Sequence, residues 1–116
     1  MPSGTSATGA VRQVEYWYKQ HIDAFVQEGR ERQSGVPGQS APIDASVLAY
    51  AHEQAWRHGI VRAQRSVDAQ DWANLTVAHE AATYEHLLSW AADTYGVTED
   101  EIRGAQTSRG YRHHPR

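Results

Sequence analysis

The 116-residue chain has no cysteine, which excludes a disulfide framework, a thiolate zinc site and a cysteine nucleophile. Lysine is almost missing too, with Lys19 the sole example, and the four prolines sit near the ends or in one central stretch. No apolar run approaches the roughly 20 residues that span a bilayer, so no membrane partner is expected. The opening residues lack the basic start and apolar centre of a signal peptide, and the expected location is cytoplasmic. There is no Gly-x-Ser-x-Gly elbow, no phosphate-cradling glycine loop and no dinucleotide fingerprint, so the recognisable routes to nucleophilic and nucleotide chemistry are missing. A non-catalytic protein is the expectation.

What remains is the composition of one globular domain: 40% hydrophobic and 22% charged residues, with a mean hydropathy of −0.70. The net charge of −3 hides a gradient. Residues 1–102 carry all 14 acidic and seven basic residues, whereas 103–116 carry four arginines and no acid. Abundant alanine, with arginine in place of lysine, is the codon signature of a GC-rich genome and points to an actinobacterium or its phage.

Hydrophobic spacing predicts an all-α fold, a small helical bundle. Residues 1–10 read as a flexible leader, 11–106 as a single helical domain and 107–116 as a basic tail. The first predicted helix, 11–28, carries Val11, Val14, Tyr18, Ile22 and Phe25 on one face, with Gly29 placed as its C-terminal cap. The stretch 29–42 is a long loop. Asp44 is an N-cap for a second helix over 45–67, whose ridge Ala51, Ala55, Gly59 and Ala63 contains only small residues. A close neighbour must fill that groove, and Trp72, Leu88 and Trp90 are the expected fillers. Asp71 is taken to cap a third helix over 72–95, stopped at Gly96, so that helices two and three form a long antiparallel hairpin with helix one packed across it. Thr98-x-x-Glu101 is a capping box for a short helix over 99–106.

The third helix has two apolar stripes, one with Trp72, Leu75, His79, Thr83, His86 and Trp90, the other with Val77, Ala81, Tyr84, Leu88 and Tyr95. A helix apolar on both sides belongs in the centre of a bundle or in an oligomer interface. Self-association or a protein partner is therefore expected, with Trp56, Trp72, Trp90, Tyr84 and Leu88 as anchors.

Two other readings stand beside it. Seven histidines are present, and His21, His52, His79 and His86 fall on or beside apolar helix faces, where converging imidazoles with nearby carboxylates would suit zinc or iron. The spacing matches no standard motif, since His79 and His86 stand seven residues apart and Thr83 occupies the zincin histidine position. Core histidines bonded to neighbouring helices are the alternative, and their protonation would loosen the bundle at acid pH. The tail, with Arg103, Arg109, Tyr111, Arg112 and Arg116, interleaves basic groups with an aromatic and would suit phosphate contact plus stacking on a nucleic acid. The segment TYGVTEDEIRGAQTSRGYR resembles the opening of the DNA-binding domain of bacterial replication initiators. That resemblance implies a DNA-contacting role for the arginine-rich segment; it reaches no recognition helix.

Overall fold

In the computed structural model, residues 7–109 are described, and they form five helices with no strand among them: α1 (Thr8–Ser34), α2 (Ala45–Ser66), α3 (Ala69–Ala73), α4 (Val77–Tyr95) and α5 (Glu99–Arg109). The expected leader falls largely on residues 1–6, and most of the expected tail on 110–116; both lie outside the described residues.

α1 runs six residues further than expected, because Gly29 is not a cap. It is a buried helical residue, and a Cβ there would stand 3.2 Å from the Tyr50 ring and 3.3 Å from the Val47 carbonyl. The helix formers Arg30 to Gln33 carry α1 onward, and Gly35, at φ 69°, supplies the left-handed stop. The connection to α2 is thus shorter than expected and is tied down. Ala41 N–H donates to the Arg30 carbonyl (3.0 Å), and Arg30 Nε donates to the Ala41 carbonyl (2.6 Å). α2 starts where predicted, with the Asp44 carboxylate accepting from Val47 N–H at 2.9 Å.

The dominant pairing is α1 with α2, not α2 with the following helix. The two run antiparallel: Tyr50 sits at Gly29, His52 at Tyr18, and Gly59 at Val14. The small-residue ridge, for which Trp72, Trp90 and Leu88 are the expected fillers, meets α1 at Gly59. At Gly59 a Cβ would lie 2.9 Å from the Val14 carbonyl oxygen, so only glycine admits the α1 backbone at this point.

The predicted third helix is divided. Asp68, not Asp71, caps the short α3, and a new helix opens at Thr76, whose hydroxyl accepts from His79 N–H (3.1 Å) while the His79 ring accepts from Thr76 N–H (3.3 Å). This is a capping box with histidine in the glutamate position. α4 stops at Gly96 (φ 75°), and α5 opens on the Thr98–Glu101 box, both as the sequence predicts. α5 extends to Arg109, beyond the expected end.

α4 has one buried arc rather than two apolar stripes. Thr83, Tyr84, Leu87, Leu88, Ala91 and Ala92 face the core, whereas His79, His86 and Val77 are exposed. α4 and α5 together cover one side of the α1–α2 hairpin, with Ile102 fully buried beneath α5. No helix among the described residues is long and apolar enough to cross a membrane.

Candidate interaction face on the α1–α2 hairpin

The α1–α2 hairpin has two sides. On α1, Val14, Tyr18, Ile22 and Val26 form the buried row; Glu15, Lys19 and Asp23 flank it on one side and Trp17, His21 and Phe25 on the other, as the helical period requires. The first flank meets α4. His86 lies 3.8 Å from Glu15, the Lys19 ammonium lies 5.0 Å from the centre of the Trp90 ring, and Tyr95 donates to Asp23 at 3.0 Å. The second flank is turned away from α4 and α5.

The inner side holds a sealed polar network. Tyr18 OH and His52 Nδ1 share a hydrogen bond of 2.6 Å, both residues fully buried, and the Leu87 carbonyl accepts from the same hydroxyl at 3.4 Å. Next to it, Tyr84 OH donates to Glu53 (3.3 Å) and accepts from Gln106 Nε2 (2.9 Å), while Arg57 donates to the other Glu53 oxygen at 3.1 Å. Burial pushes the Tyr18 hydroxyl well above the usual tyrosine range, reinforced by Tyr84 and Tyr95. Burial does the same to Tyr84, with the Glu53 carboxylate adding to the effect. Both phenols therefore stay protonated and act as structural donors. Closer to the surface, partial burial and the hydrogen bond to Asp23 push Tyr95 up to about 12.

The outer side is built differently. The His21 and His58 rings meet across the two helices with centroids 4.0 Å apart and planes tilted by 50°. Phe25 meets His58 edge-on at 5.9 Å, Tyr16 meets Trp17 edge-on at 5.0 Å, and the Arg62 guanidinium lies 4.2 Å from the centre of the Trp17 ring. His21 Nδ1 is 3.2 Å from the Trp17 carbonyl, which fixes the proton on that nitrogen. The buried Nε2 of His58 has no hydrogen-bond partner among the described residues. Desolvation lowers the His58 pKa below its usual value, and the neighbouring His21 and Arg62 lower it further. Exposed apolar surface adjoins this strip, with Tyr16 51% and Val61 45% exposed.

Carboxylates are missing from the middle of this side. Residues 54–67 of the sequence contain three arginines and no acid. Arg57 turns inward to Glu53, which leaves Arg62 and Arg65 outward; Glu15 and Asp23 of α1 are both turned toward α4.

The residues singled out from sequence are scattered by the fold. Trp56, Tyr84 and Leu88 are 4%, 4% and 0% exposed, spent on the chain's own core and closed to a partner. Trp72 and Trp90 are half-buried against that core. The four histidines do not converge: His52 is in the inner network, His79 caps α4, His86 is exposed near Glu15, and His21 pairs with His58. Among the described residues no group of three or more ligating side chains could hold a metal ion. Arg103 is engaged by Glu85, Glu99 and Asp100, and its pKa is raised above its ordinary value chiefly by the hydrogen bond to Glu85. Arg109 ends α5, and Tyr111, Arg112 and Arg116 lie outside the described residues.

Sequence reasoning missed the outer strip, although its signal was present. Trp17, His21 and Phe25 recur every four residues on α1, and His58 and Arg62 do so on α2. Comparison with protein-family models, with curated proteins and with solved structures finds no match.

Proposed function

We propose that this chain is a non-catalytic assembly module that associates with protein surfaces, foremost with further copies of itself, through the outer face of the α1–α2 hairpin. The observation that carries this reading is the half-open aromatic strip of Trp17, His21, Phe25, His58 and Arg62, flanked by exposed Tyr16 and Val61. Exposed apolar residues scattered singly need no explanation, but contiguous aromatic surface with a stacked arginine has the composition of interface hot spots. This reading keeps the self-association expected from sequence but moves it from the third predicted helix, whose apolar arc is covered by its own chain, to α1 and α2.

Sedimentation velocity across micromolar to hundred-micromolar protein tests the proposal. Growth of the sedimenting species with concentration, reduced by Val61→Glu and Tyr16→Glu, is expected. A monomer over the whole range overturns it.

A further inference from the structure

The distribution of charge on the two sides of the hairpin specifies how such copies meet. On the inner side and beneath it, every guanidinium recorded near a carboxylate is used within the chain: Arg57 on Glu53, Arg103 on Glu85 and Glu99. On the outer side, Arg62 lies on the Trp17 ring; at the other end of the hairpin Arg32 lies on the Tyr50 ring (4.9 Å), whose hydroxyl donates to Glu28 at 2.7 Å, so the open positive charge is that of Arg62 and Arg65. A guanidinium stacked on a ring by its face keeps its in-plane N–H donors directed at its edge, where they suit a carboxylate. Arg65 adds an exposed positive charge on the same helix.

The complement lies on the far side of the molecule. α4 and α5 carry six acids, Glu80, Glu85, Asp93, Glu99, Asp100 and Glu101, against Arg103 and Arg109. Asp100 is fully exposed even though Arg103 approaches within 3.7 Å, and Asp93 and Glu101 are exposed as well. Arg103 cannot neutralise this rim, since one guanidinium is shared among three carboxylates.

Resting on the self-association reading above, we infer that the contact is head-to-tail: the Arg62–Arg65 strip of one copy seats on the acidic α4–α5 rim of a second. The two patches differ and lie on opposite sides of the hairpin, so the contact is heterologous. It continues from copy to copy unless the rotation closes a ring. A second copy is favoured over a nucleic acid because the chain as a whole is acidic, at −3, and the acidic rim repels a polyanion.

The test is a charge exchange read by sedimentation velocity. One variant carries Arg62→Glu and Arg65→Glu, the other Asp93→Arg and Asp100→Arg; none of the four side chains belongs to the core or to a helix cap, and circular dichroism checks each fold. Arg65→Glu alone keeps the Arg62–Trp17 stack and guards against a packing effect. Each double variant is expected to sediment as a monomer where wild type associates, and an equimolar mixture of the two to associate again. Wild-type association is expected to weaken about tenfold between low and half-molar salt, as surface charges are screened. Association that persists in both variants and in high salt overturns the head-to-tail contact and leaves self-association standing. A mixture that stays monomeric also overturns it. A wild-type monomer at every concentration removes the self-association reading itself, and the contact with it. Binding of single-stranded DNA by wild type that Arg62→Glu with Arg65→Glu abolishes, with self-association unchanged, overturns the inference in favour of a nucleic-acid partner.

Discussion

The inner and outer sides of the α1–α2 hairpin are made from the same two helices, yet they solve the placement of polar groups in opposite ways. Inside, polar side chains meet complementary ones: Tyr18 meets His52, Tyr84 meets Glu53 and Gln106, and Glu53 meets Arg57. Outside, rings answer rings, and Arg62 rests on Trp17. The difference follows from where the carboxylates went. Glu15, Asp23 and Glu53 all point to the α4–α5 side, and Glu28 is taken by the Tyr50 hydroxyl at one end of the hairpin, so no carboxylate is placed against Arg62 in the middle of the aromatic side. One side is finished within the chain, and the other is left for a partner.

If that contrast is right, truncations on the two sides have very different costs. Leu88→Ala removes a side chain that is fully buried and is expected to cost about 3 kcal/mol, the transfer and cavity terms together. Val61→Ala, on the outer side, is expected to change stability by under about 0.5 kcal/mol. Urea unfolding of the two variants checks this, and equal losses would erase the distinction.

The hairpin seam offers the next largest effect. Gly59→Ala gains up to about 1 kcal/mol of helix propensity but places a methyl 2.9 Å from the Val14 carbonyl oxygen. Backbone cannot step aside as a side-chain tip can, so a net loss of about 1–2 kcal/mol is expected. A stabilised Gly59→Ala protein, seen as a raised midpoint, would show that α1 and α2 are not held this close. Gly29→Ala is expected to cost less, because a Cβ there would stand 3.2 Å from the Tyr50 ring and 3.3 Å from the Val47 carbonyl, further than the 2.9 Å at Gly59.

These two glycines also show what could be read from sequence and what could not. The helical character and half of the caps were legible, since Asp44, Gly96 and the Thr98–Glu101 box act through their own neighbours within a few residues. A glycine, however, serves either a left-handed turn or a close approach, and only the position of the opposing helix decides which. Hence Gly29 read as a stop, while Gly35 did the stopping. The Thr76 box escaped notice because histidine stands in for the usual acid. α4 read as two-faced because two stripes straddle its single buried arc; Leu87, at the centre of that arc, belongs to neither. Apart from the local pair Glu53–Arg57, the inner network joins residues 22 to 69 positions apart in sequence, and no local pattern encodes such a meeting. The outer strip was legible in part, as four-residue spacings of aromatic and basic side chains, but which of them share a side depends on the pairing of α1 with α2.

Within the inner network, Tyr84→Phe removes a hydroxyl that accepts from Gln106 and donates to Glu53, whose residue is only 6% exposed. The ring volume is kept, so the loss isolates the hydrogen bonds and is expected to be about 1–2 kcal/mol. A double-mutant cycle with Gln106→Leu is expected to show coupling between the two positions, whereas additivity would mean that the network carries no joint stability.

The smallest expected effect probes the outer side through its histidine pair. His58 has its pKa depressed from the usual 6.5, by desolvation first and then by His21 and Arg62. The folded state thus binds this proton less readily than the unfolded chain does. The stability this group contributes is complete above pH 6.5 and is lost progressively as the pH falls through that value toward the lower folded pKa. The groups facing His58 are cationic or neutral: His21, Arg62 and Phe25. No carboxylate is recorded against it to take up the new charge. Wild type is therefore expected to lose more Tm than His58→Phe between about pH 7.5 and about pH 5.5, by a few degrees at most because His58 is only partly buried. The inner phenols do not enter this difference, since Tyr18 and Tyr84 have their pKa values pushed upward, away from this range, and the inner network is common to both proteins. Equal pH slopes in wild type and His58→Phe would show that His58 carries its proton as freely in the folded protein as in the unfolded chain. The outer side would then be as well solvated as any other surface of the molecule.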